Sequence, residues 1–501
     1  MRNAWGIKYR HAGCHLLSTV IAAIMLNSCV MGPDFHRPLP PKIKQYTAQP
    51  LPTSTISVKT TGGNKQYLVN NLDIPAQWWK LFHSKPLNDL IASALQTNPD
   101  LKAAAAALRV AQENAMAQRA TLLPYVSANL NPTRHLTAHT LSSIVASNAY
   151  VYSLTTPQLT VSYVPDVFGG NMRQVESLQA QAETALFQQE AIYLTLTSNV
   201  VMAVIQEASI REQIKATQRS IAIAQKQLDM MLKQQSVGQI GAVAVATQQA
   251  ALAQAQTVLP PLQKQLAQQR HLLSVLCGHF PSEEFAQKFE LSSLTLPEKL
   301  PLGIPARLIE QRPDIRAAEA QIHAASAQIG VAIANQLPNI VITADAGSSA
   351  IELGTLFSSL TKFWDIGLNL TQPVFDAGAL LHKKRAAIAA YQQAVEQYRS
   401  VVLASFQDVA DTLKAIQFDA ISLKTAANAT QAARRSLAIA QQQWEAGAVD
   451  HLFVLNAQQN YQQALITLAQ NQANRFIDTA ALFQALGGGW WNRDVCSPIK
   501  A

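Results

Sequence analysis

Charge is what this chain has least of. Asp, Glu, Lys and Arg make up 14% of its 501 residues, against about 25% in an ordinary soluble protein. Hydrophobic residues are 49%, so Gln, Asn, Ser and Thr must carry the polar surface. That composition suits helices that interlock over long distances or line a wet channel. The formal net charge is +8, yet no run of five or six basic residues occurs; the densest cluster is His382-Lys383-Lys384-Arg385. Such dispersion argues against nucleic acid as a partner. No His pair at i, i+4 has a carboxylate nearby, the 8 methionines are scattered, and no Gly-rich phosphate loop is present. These absences argue against a metal centre, a dedicated copper role and a nucleotide site. With no catalytic constellation the chain reads as a non-enzyme, and energy for any transport must come from a partner.

Cysteine is scarce too, with 4 in all. Arg2, Lys8 and Arg10 form a basic start, Leu16 to Leu26 is an apolar run, and Leu26-Asn27-Ser28-Cys29 follows. The run fits a signal peptide and is too short to span a bilayer as a helix. The ending resembles a bacterial lipobox, which makes Cys29 the lipidated first residue of the mature chain, carrying diacylglycerol and an N-acyl group. Val30 rather than Asp follows it, which in that pathway favours export to the outer membrane. The alternative is a plain signal peptide with an incidental Cys. Cys14 leaves with the signal, so Cys277 and Cys496 remain, too few for a disulfide framework. Whether they pair is open.

What the chain does have is a duplication. Asn98-Pro99-Asp100-Leu101-Lys102-Ala103-Ala104 returns as Arg312-Pro313-Asp314-Ile315-Arg316-Ala317-Ala318, and Leu123-Pro124 returns as Leu337-Pro338. Val237-Gly238 matches Ala446-Gly447. A repeat of about 210 residues is too long for a solenoid unit; it is a duplicated half-molecule. The expected division is a signal peptide over 1–28 and a lipidated extended segment over 29–86. Repeat one covers 87–278, a linker 279–304, repeat two 305–489 and a tail 490–501.

Within each repeat the patterns alternate in kind. Residues 30–65 are rich in Pro, Thr and Ser, which favours extended structure; Trp78-Trp79 then precedes a short helix near Leu87 to Leu95. Asn98 caps a helix opening at Pro99 and ending before Pro124. Period-two runs follow: Val126, Ala128 and Leu130 against Ser127, Asn129 and Asn131, and Leu159, Val161 and Tyr163 against Gln158, Thr160 and Ser162. In repeat two Ile340, Ile342 and Ala344 oppose Val341, Thr343 and Asp345, and Trp364, Ile366, Leu368 and Leu370 oppose Asp365, Gly367, Asn369 and Thr371. Each is a strand with one apolar face. Bends at Pro165 and Pro373 lead into very long helical patterns, Arg173 to about Gln235 and Leu380 to about Glu445. At 1.5 Å rise per residue the first spans roughly 95 Å. Heptads at Ile214, Ile221 and Leu228, at Leu252, Leu259, Leu266 and Leu273, and at Val454, Tyr461 and Leu468 predict coiled-coil packing. Pro260-Pro261 should break the first returning helix; repeat two has no such pair.

Four strands with a lipid-facing side leave no open edge in hydrocarbon only if they close into a barrel, and membrane barrels begin at about eight strands. Several chains must therefore share one barrel. At this point the chain resembles the TolC/OprM-type outer-membrane efflux factors of the NodT-like lipoprotein group. The matching residues are Gly32-Pro33-Asp34-Phe35-His36-Arg37-Pro38, Gln77-Trp78-Trp79 and Gln311-Arg312-Pro313-Asp314-Ile315-Arg316-Ala317-Ala318-Glu319-Ala320. Gln328-Ile329-Gly330-Val331-Ala332, Gln372-Pro373-Val374-Phe375 and Ala485-Leu486-Gly487-Gly488-Gly489-Trp490 match as well. The resemblance implies a mixed, mainly α fold: a homotrimer with a twelve-stranded transmembrane barrel, four strands per chain, continuing into a periplasmic coiled-coil tunnel. It further implies the exit duct of a tripartite efflux pump, with a periplasmic adaptor and an inner-membrane transporter as partners and small toxic molecules as cargo.

The same resemblance implies a periplasmic gate where the long helix of repeat two turns back, with Leu452 matching the family's leucine and Asn456 standing where an aspartate is common. Phe453 also departs from members that carry an acid there. The expected gate is apolar Leu452 and Phe453 with amide hydrogen bonds at Asn456, and Asp450 as a possible source of charge. Coiled-coil packing is the other reading of Leu452 and Phe453. The hairpin tips Val237, Gly238, Ala446 and Gly447 are where an adaptor would dock; Gly also simply terminates helices. A type I protein-secretion channel, and a poreless coiled-coil rod or adaptor, are the competing functions.

Overall fold

The computed structural model describes residues 30–493 except 44, 142–144, 146, 147, 284 and 304. Cys14, Cys29 and Cys496 lie outside the described residues. Six strands and nine α-helices are described. In chain order they are β1 (Tyr67–Asn70), α1 (Lys85–Thr97), α2 (Pro99–Ala120), β2 (Tyr125–Leu136), β3 (Val151–Tyr163), α3 (Gly170–Ser236), α4 (Ala242–Thr257) and α5 (Leu259–Leu276). Then come β4 (Lys299–Leu302), α6 (Pro305–Gln311), α7 (Pro313–Ala334), β5 (Asn339–Ser348), β6 (Lys362–Thr371), α8 (Ala379–Glu445) and α9 (His451–Ala485).

The proline pair acts where the sequence places it. α4 stops at Thr257 and α5 restarts at Leu259 with proline in its first turn, where a missing N–H costs nothing. α9, without such a pair, runs unbroken for 35 residues. α3 and α8 each run 67 residues, slightly beyond the predicted bounds.

The chain forms two compact units, each drawing on both repeats. Among the described residues the first comprises 30–38, 107–185 and 318–398. Its centre is one antiparallel sheet in the order β2-β3-β5-β6, so each repeat gives a hairpin and β3 pairs with β5 between them. The register puts Val126 opposite Val161, Val161 opposite Ala344 and Ala344 opposite Ile366, one apolar row across all four strands. The other face carries Ser127, Thr160, Asp345 and Asp365 in the next row. Side chains of the apolar face stand in the open, Trp364, Ile366 and Leu368 above all. The outer edges of β2 and β6 pair with no described strand. Beneath the sheet α3 and α7 approach closely through small residues: the buried Ser177 hydroxyl donates to the Ala324 carbonyl at 3.1 Å.

Among the described residues the second unit comprises 39–106, 186–317 and 399–493. Its core gathers Trp78 and Phe82 with Val200, Val204, Ile205, Leu413, Ile416, Phe476 and Phe483. Trp78 stacks on Phe483 with ring centroids 5.3 Å apart. α3 is long and apolar enough to cross a membrane by composition, but its Val200, Val201, Val204 and Ile205 are core residues of this unit. The sequence reading missed a small parallel sheet, β1 with β4. It ties the extended N-terminal segment to the stretch read as a linker. Buried Arg475 of α9 fastens the same segment, donating to the carbonyls of Asn64 at 3.2 Å and Ile416 at 3.0 Å. Cys277 is a free thiol in this core, and burial pushes its pKa up to about 11.

Candidate functional site

Both helical hairpins of the second unit turn on the same device. In the first, the Gly238 N–H donates to Gln235 and the Gln239 N–H to Gln234, both at 2.9 Å. In the second, the Gly447 N–H donates to Trp444 at 2.9 Å and the Ala448 N–H to Gln443 at 2.8 Å. This pair of bonds satisfies the last carbonyls of a helix and needs a left-handed residue; Gly238 has φ +78° and Gly447 φ +70°. A Cβ on either glycine would touch nothing, so both tips are open surface. Val237 and Ala446 beside them are exposed.

α9 starts just after the second tip. Asp450 is its cap, accepting from the Leu452 N–H at 3.3 Å. Its carboxylate is therefore turned to the helix end. Around the first turns the helix sorts its residues cleanly. Val454 is fully buried and Leu455 and Ala457 nearly so, whereas Leu452 is 50% and Phe453 61% exposed. Asn456 is exposed as well. Packing within the chain uses Val454 and Ala457, which join Leu437 and Ala440 of α8. Leu452, Phe453 and Asn456 share the opposite face and are unused by it. Two apolar side chains and an amide set there can form a water-excluding constriction only against further copies of the same face.

Beyond the apolar core that they share, the hairpins are joined by hydrogen bonds. Nε2 of His451 lies 2.8 Å from Oε1 of Gln248, and the Ser220 hydroxyl donates to Oε1 of Gln462 at 3.0 Å. A weaker bond runs from the Gln458 amide to the Ser220 carbonyl at 3.4 Å.

In the first unit, three features escaped the sequence reading. Asp166 accepts from the N–H groups of Asn171 at 3.0 Å and Met172 at 2.7 Å, capping α3. Asp376 does the same for α8 through Gly378 at 2.9 Å and Leu380 at 2.7 Å. Those N–H groups, Leu380 first, hold the Asp376 carboxyl below the usual carboxylate range. Aligning the repeats on Pro165 and Pro373 hides this equivalence, because the aspartates sit at different distances from the prolines. The third feature is a dock for residues 30–37. Arg173, nearly buried, donates to the Met31 carbonyl at 3.1 Å and to Asp34 at 2.7 Å. Phe35 stacks on His323 at 4.4 Å, and Arg37 pairs with Glu319 at 2.6 Å. The two backbones touch here: a Cβ on Gly32 would stand 2.5 Å from Cα of Gly330. The sequence motifs at 32–38 and 328–332 are the two sides of this one contact.

The family model for the outer membrane efflux protein matches residues 90–279 and 304–488, the two repeats. The pyoverdine export outer membrane protein OpmQ of Pseudomonas putida is 31% identical over 417 residues, covering 83% of this chain and 88% of its own. A probable efflux pump outer membrane protein of the same species, TtgC, is 29% identical over 483 residues, covering 95% of this chain and 96% of its own. Among solved structures, the Campylobacter jejuni CmeC outer membrane channel superposes with a TM-score of 0.82 at 21% identity, over 92% of this chain and 95% of that one.

Proposed function

The chain belongs to the outer membrane efflux protein family, and on that premise we propose that three copies close one transmembrane barrel and one helical tunnel. It is an outer-membrane channel protein of efflux, reaching into the periplasm. The observation that carries the shared barrel is the sheet of the first unit. Its apolar face is exposed on β2, β6 and at Leu159 of β3 and half-buried on β5, its opposite face is polar, and both edges pair with no described strand. An open edge has no place in hydrocarbon, and four strands are too few to curl shut. Three copies give twelve strands with apolar side chains to lipid and polar ones to the lumen.

In this reading Leu452, Phe453 and Asn456 from three chains meet at the periplasmic mouth, and the tips at Gly238 and Gly447 receive an adaptor that links the duct to an inner-membrane transporter. Acylated Cys29 anchors the chain to the outer membrane beside the barrel. The names of the relatives, a pyoverdine exporter and an efflux pump component, support small molecules as cargo. The decisive measurement is light scattering on detergent-extracted protein together with conductance in planar bilayers. Three chains per particle and a measurable conductance are expected. A stable single chain, or no conductance, overturns the reading in favour of a poreless rod.

A further inference from the structure

The side-chain hydrogen bonds between the two hairpins of the second unit are made by amides and hydroxyls with one exception, His451. Its ring is 6% exposed. Gln248, its partner on α4, is fully buried and gives its own amide N–H to the Ala224 carbonyl of α3 at 2.8 Å. That bond fixes which way the amide faces, so its oxygen is what His451 meets at 2.8 Å. An amide oxygen only accepts, hence Nε2 carries the proton and Nδ1 holds a bare lone pair. Nδ1 is buried and has no hydrogen-bond partner. Trp444 of α8 covers the ring, with centroids 5.0 Å apart.

The groups that meet the imidazole from α4 and α8 are therefore an amide and an indole, neither of them charged, and the Ala224 carbonyl of α3 holds the amide from behind. The one charge acting on it is Asp450, and desolvation outweighs that charge, holding the pKa below the ordinary 6.5. The neutral ring is the form the site accommodates. A proton arriving at Nδ1 from solvent creates a buried cation and an N–H with nothing to donate to, and such a group bears its whole desolvation penalty.

We propose that His451 is a proton-operated pin between the hairpins: neutral, it joins α9 to α4, and protonated, it releases them and loosens the helix start that carries Leu452, Phe453 and Asn456. The consequence for the mouth of the duct rests on the gate reading given above. The sign follows from linkage. A ring freed from the join takes up its proton first, so the joined state is at full strength above pH 6.5 and loses ground as pH falls below that value.

The test uses the full chain in detergent, spin-labelled at Val243→Cys and Asn460→Cys, both exposed positions on α4 and α9, with Cys496→Ser. Labelled chains are diluted with unlabelled ones, and label distances are read from about pH 7.5 to about pH 5, the range in which histidine titrates. The distance distribution should shift to longer values in acid. His451→Gln keeps a donor for Gln248 but does not titrate, so its distances should stay constant. Gln248→Glu should reverse the trend, because a carboxylate welcomes the imidazolium. Wild-type distances that do not move across this range overturn the pin. Labels that separate while the bilayer conductance of the same protein ignores pH support the pin and overturn the assignment of the gate to Leu452, Phe453 and Asn456.

Discussion

Arg312 and Asn98 hold the same post in the two halves of the chain. The Asn98 amide donates to the Leu276 carbonyl at 3.0 Å, and the Arg312 guanidinium donates to the Ala485 carbonyl at 3.1 Å. Each ties the start of the first long helix of its repeat to the end of the last. Arg312 has donors to spare and spends them on Asp314 at 2.6 Å and Asp408 at 3.1 Å. These carboxylates raise its pKa against the opposing pull of burial.

Replacing Arg312 with Ala should therefore hurt more than replacing Asn98. Arg312→Ala strands a helix-end carbonyl and two acids, and with both acids partly in solvent the expected loss is about 1–3 kcal/mol. Arg312→Lys should recover only part of it, since an ammonium lacks the planar fork. Thermal melts of the detergent-extracted protein measure this, and equal melting temperatures for wild type and Arg312→Ala would remove the tie.

At the mouth, Leu452→Ser together with Phe453→Ser should raise bilayer conductance, because the apolar constriction that excludes water is gone. Asn456→Asp adds a carboxylate per chain on the same exposed face. It should raise cation selectivity, most visibly at low salt where screening is weak. Conductance and reversal potential unchanged in both variants would place the constriction elsewhere.

A third expectation concerns Asp419 of α8. Burial, then neighbouring Asp478, pushes its pKa up from 3.8 to about 7, against the pull of Arg475. A carboxyl raised on folding binds its proton more tightly in the native state. Its contribution is complete below pH 3.8 and is lost as pH rises through about 7. Melting temperature should fall between about pH 5 and about pH 8 in wild type and much less in Asp419→Asn. A parallel fall in both would assign the pH dependence to other groups.

The lipid anchor is tested by chemistry alone. Cys29→Ala should abolish fatty-acid labelling and shift the mass of the mature chain. An unmodified wild-type N-terminus at another residue would rule the anchor out.

What could be read from sequence was what repeats over distance. Heptads at Leu228 and Leu252 both point into one cluster, and the alternation around Ile342 and Ile366 gives the observed faces of the sheet. Such patterns accumulate over many residues and survive local noise. β1 and β4 have four residues each in Pro-rich surroundings, and partners so far apart leave no periodic trace. The dock of Arg173 was hidden for another reason. Two of its partners are backbone carbonyls, which have no letter in the sequence, though the glycines at 32 and 330 mark where two backbones meet. At the proposed gate the sequence supplied Leu452 and Phe453 but not their direction. That depends on Val454 and Ala457 claiming the inner face first.

The bare sheet of the first unit sets a constraint on how the protein is made. A four-stranded surface with both faces uncovered and two edges unfilled is a liability in water, since edge strands recruit whatever backbone they meet. The helices of the second unit bury a core of their own and need no lipid to do so. Helical packing can therefore be complete while the strands still lack neighbours. In the shared barrel proposed above, the last event of biogenesis is a meeting of copies at a bilayer, and its yield depends on how many chains arrive together rather than on how well any one of them folds.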